Sequence, residues 1–281
     1  MRIGLVGVDS SHAEHYLRLF NSDARYGDIR VTALWGGTPD RTRALLDLAP
    51  PVAASGSLEE LIADVDAVIV GDRHGDLHRQ HALPAIAAGK PVFIDKPLAN
   101  RDADATAIIE AAAQAGTALL SASALRWQLE TQLLKTAIAG LSGPFSIEAY
   151  GTWYPDNEYG GAVYYGIHTV ELLQEMLGPD WSNLRLEAGG AAPRLRYETG
   201  AASVGIAFNP LDETGSSAFG VRLATLSMAR EQPIPLGDDY MVPVANRIAA
   251  MLTSGRGAMT AEQLVAPVRM MAEIDRLLAE R

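Results

Sequence analysis

The sequence of 281 residues contains no cysteine, which excludes disulfide bonds, thiolate metal sites and cysteine nucleophiles. It also has no cluster of basic residues, and 34 acidic against 23 basic side chains give a net charge of −11. Nucleic acids and anionic membrane surfaces both need a basic patch, so we expect neither as a partner. The remaining expectation is a small-molecule ligand.

No apolar run reaches the roughly 18 residues of a membrane-spanning helix, and no basic-then-apolar leader precedes the first strand-like run at Arg2. A G-x-S-x-G elbow and a G-x-x-x-x-G-K-[ST] loop are also missing, which leaves serine hydrolase and P-loop chemistry unsupported. Hydrophobic residues make up 48% of the chain, enough for the core of one large or two modest domains. We expect a globular cytoplasmic protein.

The first half of the sequence alternates short apolar runs with amphipathic, helix-like stretches. Parallel strands need helical crossovers, and those helices cover both faces of the sheet. The alternation therefore predicts an α/β dinucleotide-binding domain over residues 1–122, with a doubly wound parallel sheet of the Rossmann type. Its five strand-like runs are RIGLVGV, VTALW, DAVIV, PVFID and TALLSA.

After about Arg126 the later strand-like runs follow one another without helices, which predicts mostly antiparallel pairing. We expect an α+β domain over 123–281, with helices at 166–177 and in a C-terminal pair that can pack back on the first half. An open sheet leaves a face and edges to cover, so this domain is expected to bind substrate and to form a homodimer or homotetramer through its sheet. The runs are FSIEAYGTWY, LRLEAGG, RLRYETG, ASVGIAF and SAFGVRLATL.

The turn after the first strand, GVDSSH, stands where a dinucleotide fingerprint G-x-G-x-x-G would lie. Gly7 is retained, but Asp9 and His12 replace the second and third glycines. The helix that follows still offers free amides to a phosphate, and Ser10 and Ser11 can cap it or bind phosphate directly. Against this, an Asp9 carboxylate beside a pyrophosphate would be repulsive, and His12 would fill the contact between helix and strand.

The second strand also departs from an NAD-binding pattern. It ends in Trp35, Gly36 and Thr38 rather than in the acid that holds the adenosine ribose. Loss of the acid removes the repulsion of a 2′-phosphate, which Thr38 and Arg41 could contact. The strand end therefore leaves both NAD and NADP open as cofactors.

The third strand ends in VGDRHGDLH, which places Asp72, Arg73 and His74 at the expected cofactor site. Arg73 could clamp an anionic substrate or a phosphate, or pair with the neighbouring acids at the surface. His78 and His81 could share one helix face, but no third ligand accompanies them at a persuasive position, so we expect no metal.

Four stretches taken together resemble the glucose-fructose oxidoreductase and inositol dehydrogenase family (Gfo/Idh/MocA). They are GLVGVDSSHAEH, FIDKPLA, the pair Arg126-Trp127 and GGAVYYGIHTVELLQ, and they extend over nearly the whole chain of what would be a divergent member. The resemblance implies an NAD(P)-dependent dehydrogenase or reductase that acts on CH–OH groups of a small polar, sugar-like molecule. The altered motifs leave open a non-redox lyase or hydrolase, or a catalytically silent ligand-binding protein.

The stretch VFIDKPLA brings Lys96 to the carboxyl end of a parallel strand, where open α/β sheets bind ligands. Its charge could polarise or protonate a substrate oxygen, whereas a plain surface lysine is the alternative. The resemblance implies that Lys96 is a catalytic residue that contacts both the cofactor and the substrate. It also implies that Asp95, which replaces the usual glutamate, lies near the nicotinamide.

The stretch GIHTVELLQ predicts a helix that begins at Gly166, with His168 in its first turn. There the helix dipole would favour a neutral imidazole able to accept a proton from an alcohol, although a packed histidine is the alternative. The resemblance implies that His168 binds or deprotonates the reacting hydroxyl. Tyr164 replaces the aspartate of the family pattern D-x-G-x-H and would orient the substrate or relay the proton. The substrate site predicted around Lys96 and His168 also includes Arg126, Trp127, Tyr165 and Glu171.

Overall fold

The computed structural model describes residues 1–188, 192–213 and 218–280. The chain forms two compact units. The first contains Met1–Ala122 and Asp238–Leu264, and the second contains Ser123–Gly237 and the chain from Val265 on. The domains predicted from the sequence were 1–122 and 123–281. That division places residues 238–264 in the second domain, whereas the structure places them in the first unit.

The first unit is built on a parallel sheet whose strand order is β3-β2-β1-β4-β5-β6, the order of a Rossmann fold. Its inner strands are continuous apolar runs because helices cover both faces, and β4 and β5 are buried at every position. The two-residue β3 adds a sixth strand to the five predicted runs. The strands are β1 Arg2–Val6, β2 Arg30–Trp35, β3 Ala53–Ala54, β4 Ala67–Val70, β5 Val92–Asp95 and β6 Leu119–Ala122.

Helices connect these strands and begin at recognisable caps. Thr38 accepts a hydrogen bond from the Arg41 amide at the start of α2, where Pro39 takes the first helical position. Ser57 caps α3, a helix that the sequence analysis did not include: its hydroxyl accepts from the Glu60 amide, and the Glu60 carboxylate accepts from the Gly56 amide. The helices are α1 His12–Ser22, α2 Pro39–Leu48, α3 Leu58–Asp64, α4 His78–Ala87 and α5 Asp102–Ala115.

The second unit contains a mixed sheet in the order β12-β11-β7-β10-β9-β8. Neighbouring strands are antiparallel except β7 and β10, which run parallel, so the expected open, mostly antiparallel sheet is confirmed. Strand β12 was not expected because its sequence AREQP is polar and largely exposed. The strands are β7 Phe145–Trp153, β8 Ser182–Leu186, β9 Arg194–Thr199, β10 Ala202–Pro210, β11 Gly220–Ala224 and β12 Ala229–Pro233.

Two of the predicted strand runs reach beyond the described residues. The end of LRLEAGG, at 189 and 190, lies outside them, as does Ser217 at the start of SAFGVRLATL. Within the described ranges, the first run becomes β8 and the second becomes β11, which begins at Gly220.

Helix α6 Leu129–Ala139, which was not predicted, and helix α7 Ala162–Leu177 pack in the second unit. One face of β7 turns toward the core, with Ile147 and Ala149 fully buried beneath α7. Gly151 on the same face allows close approach, because a Cβ there would lie 2.7 Å from a ring carbon of Phe219 and would also meet the Thr169 hydroxyl. Thus α7 lies directly over β7.

The C-terminal segment contains α8 Val242–Ser254 and α9 Ala261–Ala279. Residues 238–264 belong to the first unit because they bond to its surface: the Tyr26 hydroxyl donates to Asn246 at 3.1 Å, and Arg18 donates to the Asp238 carbonyl at 3.0 Å. None of the helices among the described residues is long and apolar enough to cross a membrane.

Candidate active site

The turn between β1 and α1 is held tightly against the end of β2. The Gly7 amide donates to the Trp35 carbonyl at 2.9 Å, and the Val8 amide donates to the Gly36 carbonyl at 3.3 Å. Gly7 has a φ of +73°, and a Cβ at this position would lie 2.6 Å from the Asp72 amide nitrogen. A glycine is therefore required here even though the other fingerprint glycines are absent.

The carboxylate of Asp9 is directed to the end of β2. Its Oδ1 accepts from the Thr38 amide at 3.0 Å and from the Thr38 hydroxyl at 3.2 Å. Arg41 donates to the carbonyls of Val8 at 3.2 Å and Ser10 at 2.8 Å, and it pairs with Glu14. These contacts differ from the expectation that Thr38 and Arg41 are available to a 2′-phosphate, since both already bind the turn.

The start of α1 has the donors that a phosphate needs. The Ser10 hydroxyl is buried and has no hydrogen-bond partner within the described ranges, and Ser11 at the N-cap makes no side-chain capping bond. The amides of the first helical turn have no intrahelical acceptor. An orphaned hydroxyl beside these amides fits the pyrophosphate of a dinucleotide.

His12 makes a specific contact rather than only filling space between helix and strand. Its Nδ1 donates to Asp95 Oδ2 at 2.5 Å, and the Tyr16 hydroxyl donates to the same oxygen at 3.3 Å. The Lys96 amide donates to Asp95 Oδ1 at 2.8 Å. Burial raises the pKa of Asp95, but His12 and then Lys96 outweigh it and lower that pKa to about 2. The carboxylate is ionised at neutral pH.

Tyr16 and Tyr240 also lie beside His12, and the sequence analysis did not identify either of them. Tyr240 lies edge-on to His12 and His15, with ring centroids 5.9 and 5.0 Å away. Burial, followed by the charges of His12 and Arg18, lowers the pKa of His15. No local pattern indicates Tyr240, because it lies more than 220 residues along the chain from its partners.

The end of β4 is organised by two histidines. His81 Nδ1 donates to Asp72 Oδ2 at 2.8 Å, whereas His78 lies between the carbonyls of Asp72, at 2.9 Å, and Pro97, at 2.8 Å. Asp76 pairs with Arg101 at 2.8 Å. Both histidines thus bind protein groups, and among the described residues no set of three or more acidic or histidine side chains could hold a metal ion.

Lys96 lies at the carboxyl end of β5, followed by Pro97, and only 8% of it is exposed. His74 and Arg73, after β4, are half-buried. The Asp76 amide donates to His74 Nδ1 at 3.3 Å. The first unit thus brings the ends of β1, β2, β4 and β5 to one edge of its sheet, as the parallel order requires.

In the second unit, His168 is held by a serine that the sequence analysis missed. Ser123 Oγ lies 2.6 Å from His168 Nδ1 and accepts from the Leu125 amide at 3.2 Å. The expectation that His168 stands in the first turn of a helix was wrong, because α7 begins at Ala162 and the dipole acts mainly on the first turn. Gly166 is likewise interior and packs against Met271, 2.9 Å from where a Cβ would stand.

Glu171 and Arg126 hold the backbone of Ser123 in place through hydrogen bonds. Glu171 Oε2 accepts from the Ser123 amide at 2.8 Å and from Arg126 Nε at 2.6 Å. Arg126 also donates to Glu175 at 3.3 Å. Only 2% of Arg126 and 3% of Glu171 is exposed, and the two side chains bind each other. This differs from the expectation that both contact the substrate directly.

Aromatic rings surround His168. The Phe219 ring lies 5.7 Å and the Tyr165 ring 6.5 Å from the imidazole, between centroids. Tyr164 is buried, with its ring 4.8 Å from Tyr165 and 5.0 Å from Tyr159. Of the other predicted substrate contacts, Trp127 is 9% exposed in a short 3-10 turn. His168 therefore has both a hydroxyl contact and aromatic neighbours.

Comparison with known proteins gives matches to the sequence and to the fold. Residues 1–123 match the family GFO_IDH_MocA, described as an oxidoreductase family with an NAD-binding Rossmann fold. This match agrees with the resemblance of the motifs to the Gfo/Idh/MocA family over that part of the chain. Among particular proteins, the chain is similar to inositol 2-dehydrogenase of Acidiphilium cryptum, with 35% identity over 154 residues. That alignment covers 53% of this chain and 45% of the relative, less than half of its length.

Solved structures resemble the chain over almost its full length. Myo-inositol dehydrogenase from Lactobacillus casei, in complex with NAD(H) and myo-inositol, matches with a TM-score of 0.82 and 12% identity over 99% of this chain and 94% of that one. Biliverdin reductase from Synechocystis, in complex with biliverdin and NADP+, matches with a TM-score of 0.76 and 15% identity over 98% and 97%. At these identities the likeness confirms the fold class alone.

Proposed function

We propose that this protein is an NAD(P)-dependent oxidoreductase that transfers a hydride to or from a carbonyl or secondary alcohol of a small polar, sugar-like substrate. The observation that carries the proposal is the edge of the first unit, where the retained Gly7 turn, the start of α1 and Lys96 at the end of β5 meet. This is the edge at which Rossmann folds bind dinucleotides. The family match and the inositol 2-dehydrogenase relative support the same reaction class.

Several residues of the first unit would hold the dinucleotide. Ser10 and the first amides of α1 would bind the pyrophosphate, and Gly7 and Gly36 let the backbone come close. When bound, the nicotinamide supplies the group that accepts or gives the hydride. Asp72, Arg73 and His74, at the end of β4, would line the cofactor site, as expected from the sequence.

Asp95 and His12 would keep Lys96 in place. The Asp95 carboxylate is ionised and accepts from both the His12 ring and the Lys96 amide, so it fixes the backbone on which Lys96 stands. Lys96 Nζ would polarise the substrate oxygen by donating a hydrogen bond to it, which favours the exchange of the hydroxyl proton with His168. A buried, oriented ammonium group suits that role better than a mobile surface lysine.

His168 would accept the hydroxyl proton of the substrate during oxidation and return it during reduction. If Nδ1–H donates to Ser123, Nε2 is the ring nitrogen that would act as the base. Tyr164 and Tyr165 would orient the substrate, and the aromatic rings would contact the apolar C–H surface of a sugar or cyclitol. Arg126 and Glu171 would act indirectly, by holding Ser123 in place.

The proposal also includes a cytoplasmic location and a homodimer or homotetramer joined through the sheet of the second unit. The outer face of that sheet supports the second point because it presents a dense set of ion pairs. Glu148 accepts from Arg222 at 2.9 Å and from Arg194 at 3.2 Å.

The test is to measure hydride transfer with NAD(H) or NADP(H) against a panel of cyclitols and sugars, beginning with myo-inositol. We expect measurable turnover, and we expect Lys96→Ala to lower it by at least about a hundredfold, as for loss of a general acid–base group. Lys90→Ala is the matched control, since Lys90 precedes the same strand at its other end and bonds to the Val65 carbonyl at 2.8 Å.

Two other outcomes would replace the proposal. Chemistry on the same panel without change in the cofactor would indicate a lyase or hydrolase. Binding of a ligand with no turnover under any condition would indicate a silent ligand-binding protein. Turnover unaffected by Lys96→Ala would remove Lys96 from the mechanism while leaving the reaction class intact.

A further inference from the structure

We infer that Asp9 supplies, from the turn after β1, the carboxylate that a Rossmann fold normally carries at the end of β2, and that the protein therefore binds NAD(H) in preference to NADP(H). This inference rests on the proposed function. It concerns which nicotinamide cofactor the same site accepts, a choice that the sequence left open. An acid at the end of β2 binds the adenosine ribose of NAD, and its charge disfavours a 2′-phosphate.

The geometry brings the Asp9 side chain to the place where that acid is missing. The turn and the end of β2 share two backbone hydrogen bonds, from Gly7 to Trp35 and from Val8 to Gly36. The next residue is Asp9, and its carboxylate accepts both the amide and the hydroxyl of Thr38. One oxygen, Oδ1, makes both bonds, which leaves Oδ2 for a ribose hydroxyl.

The glycines at the end of β2 make room for this arrangement. A Cβ at Gly37 would lie 2.5 Å from Val8 Cγ2 and 3.4 Å from Asp9 Oδ1, so a side chain there would displace the turn. Gly36 has a φ of +78°, and a Cβ on it would stand 3.3 Å from the Gly7 nitrogen. An acid in place of Gly36 would be strained by the positive φ, and one in place of Gly37 would press on Val8, whereas an acid delivered by the turn meets neither obstacle.

The charges around Asp9 do not favour a 2′-phosphate. All three nitrogens of Arg41 already donate, to the carbonyls of Val8 and Ser10 and to the carboxylate of Glu14. Arg43 pairs with Asp40 at 3.3 Å. A 2′-phosphate would thus meet the Asp9 carboxylate beside an arginine that is already neutralised, and a doubly charged group needs a cation there.

The experiment is a titration of the purified protein with NADH and with NADPH, followed by nicotinamide fluorescence, so that it reads binding rather than turnover. We expect NADH to bind at least about tenfold more tightly than NADPH, in line with the cost of opposing like charges. Asp9→Asn keeps an oxygen for Thr38 but removes the charge. It should reduce the ratio of the two dissociation constants to about one, mainly by improving NADPH binding.

Asp40→Asn is the control, because it removes the same charge from an exposed position on α2 that contacts Arg43. It should leave the ratio of dissociation constants as in the wild type. Equal affinities or tighter NADPH binding in the wild type would overturn the inference, and so would an unchanged ratio in Asp9→Asn. Absence of binding to either cofactor would instead overturn the proposed function. If Asp9→Asn fails to fold, Asp9→Ser takes its place. If neither variant folds, the ratio of the NADH and NADPH dissociation constants of the wild-type protein still tests the inference.

Discussion

At the residue scale, the hydroxyl of Ser123 decides how the ring of His168 is held. Ser123 is fully buried; its hydroxyl contacts the His168 ring and accepts from the Leu125 amide, while its own amide donates to Glu171. The sequence analysis gave Tyr164, which takes the place of the family aspartate, the role of orienting the substrate or relaying the proton. The structure puts a serine from the start of the second unit beside Nδ1 of His168.

Ser123→Ala should lower kcat by about tenfold, the effect of losing one hydrogen bond of roughly 1.4 kcal/mol, and should leave KM nearly unchanged. The acidic limb of the kcat–pH profile should move to lower pH, because an acceptor beside Nδ1 stabilises the protonated ring. The measurement is steady-state kinetics across pH. Ser121→Ala is the matched control: Ser121 is also buried, on β6, and its hydroxyl has no hydrogen-bond partner among the described residues. An unmoved profile in Ser123→Ala would show that Ser123 is structural.

At the scale of elements, the contact between β7 and α7 sets the position of His168. The strand and the helix approach each other closely at Gly151. A Cβ there would stand 2.7 Å from the Phe219 ring and would also meet the hydroxyl of Thr169, the neighbour of His168. Helix α7 begins four residues earlier than the start at Gly166 expected from its motif. Its apolar pattern predicted a helix, but its start depends on the loop that precedes it.

Gly151→Ala should destabilise the protein by about 1–3 kcal/mol, because the added methyl forces either the Phe219 ring or α7 to move. Chemical denaturation measures the change. Gly205→Ala on the neighbouring strand β10 is the comparison variant. Its Cβ would stand 3.0 Å from Nη1 of Arg196 and 3.1 Å from Cγ of Glu148, distances that a small side-chain shift relieves, so we expect less than about 1 kcal/mol. Equal losses in the two variants would contradict a special contact at Gly151.

At the scale of the whole molecule, the charged face of the second sheet is the proposed surface between subunits. Glu148 accepts from two arginines, and the Arg222 guanidinium lies 4.9 Å above the Tyr150 ring. Such planar, stacked arginine contacts are typical of protein interfaces. Their arrangement arises from register, since Arg222 faces Glu148 across β11 and β7.

Arg222→Glu should convert the proposed dimer or tetramer to monomers, because it sets two carboxylates against each other on this face. Light scattering with size-exclusion chromatography reports the mass. Arg276→Glu is the control, as it makes the same charge change on α9 at a similar exposure, 51% against 48% of the side chain. A wild-type protein that elutes as a monomer would refute association through this sheet.

Much of the fold could be predicted because its signals are local. Continuous apolar runs such as AVIV and VFID indicate buried parallel strands, and the helices between them identify a doubly wound sheet. The strand with Lys96 was found in the same way. Strand β12 and helix α6 were not predicted, because a polar edge strand and a helix that begins after an irregular turn lack a strong hydrophobic pattern.

What the sequence determined by itself is therefore the class of fold and the edge of the sheet at which Lys96 and the GVDSSH turn meet. The tertiary structure decided the partners: His12 with Asp95, Asp9 with Thr38, and Ser123 with His168. These pairs join residues 29 to 83 positions apart. Hydrophobic periodicity acts over a few residues, whereas such hydrogen bonds depend on the register and packing of distant elements, which periodicity does not encode.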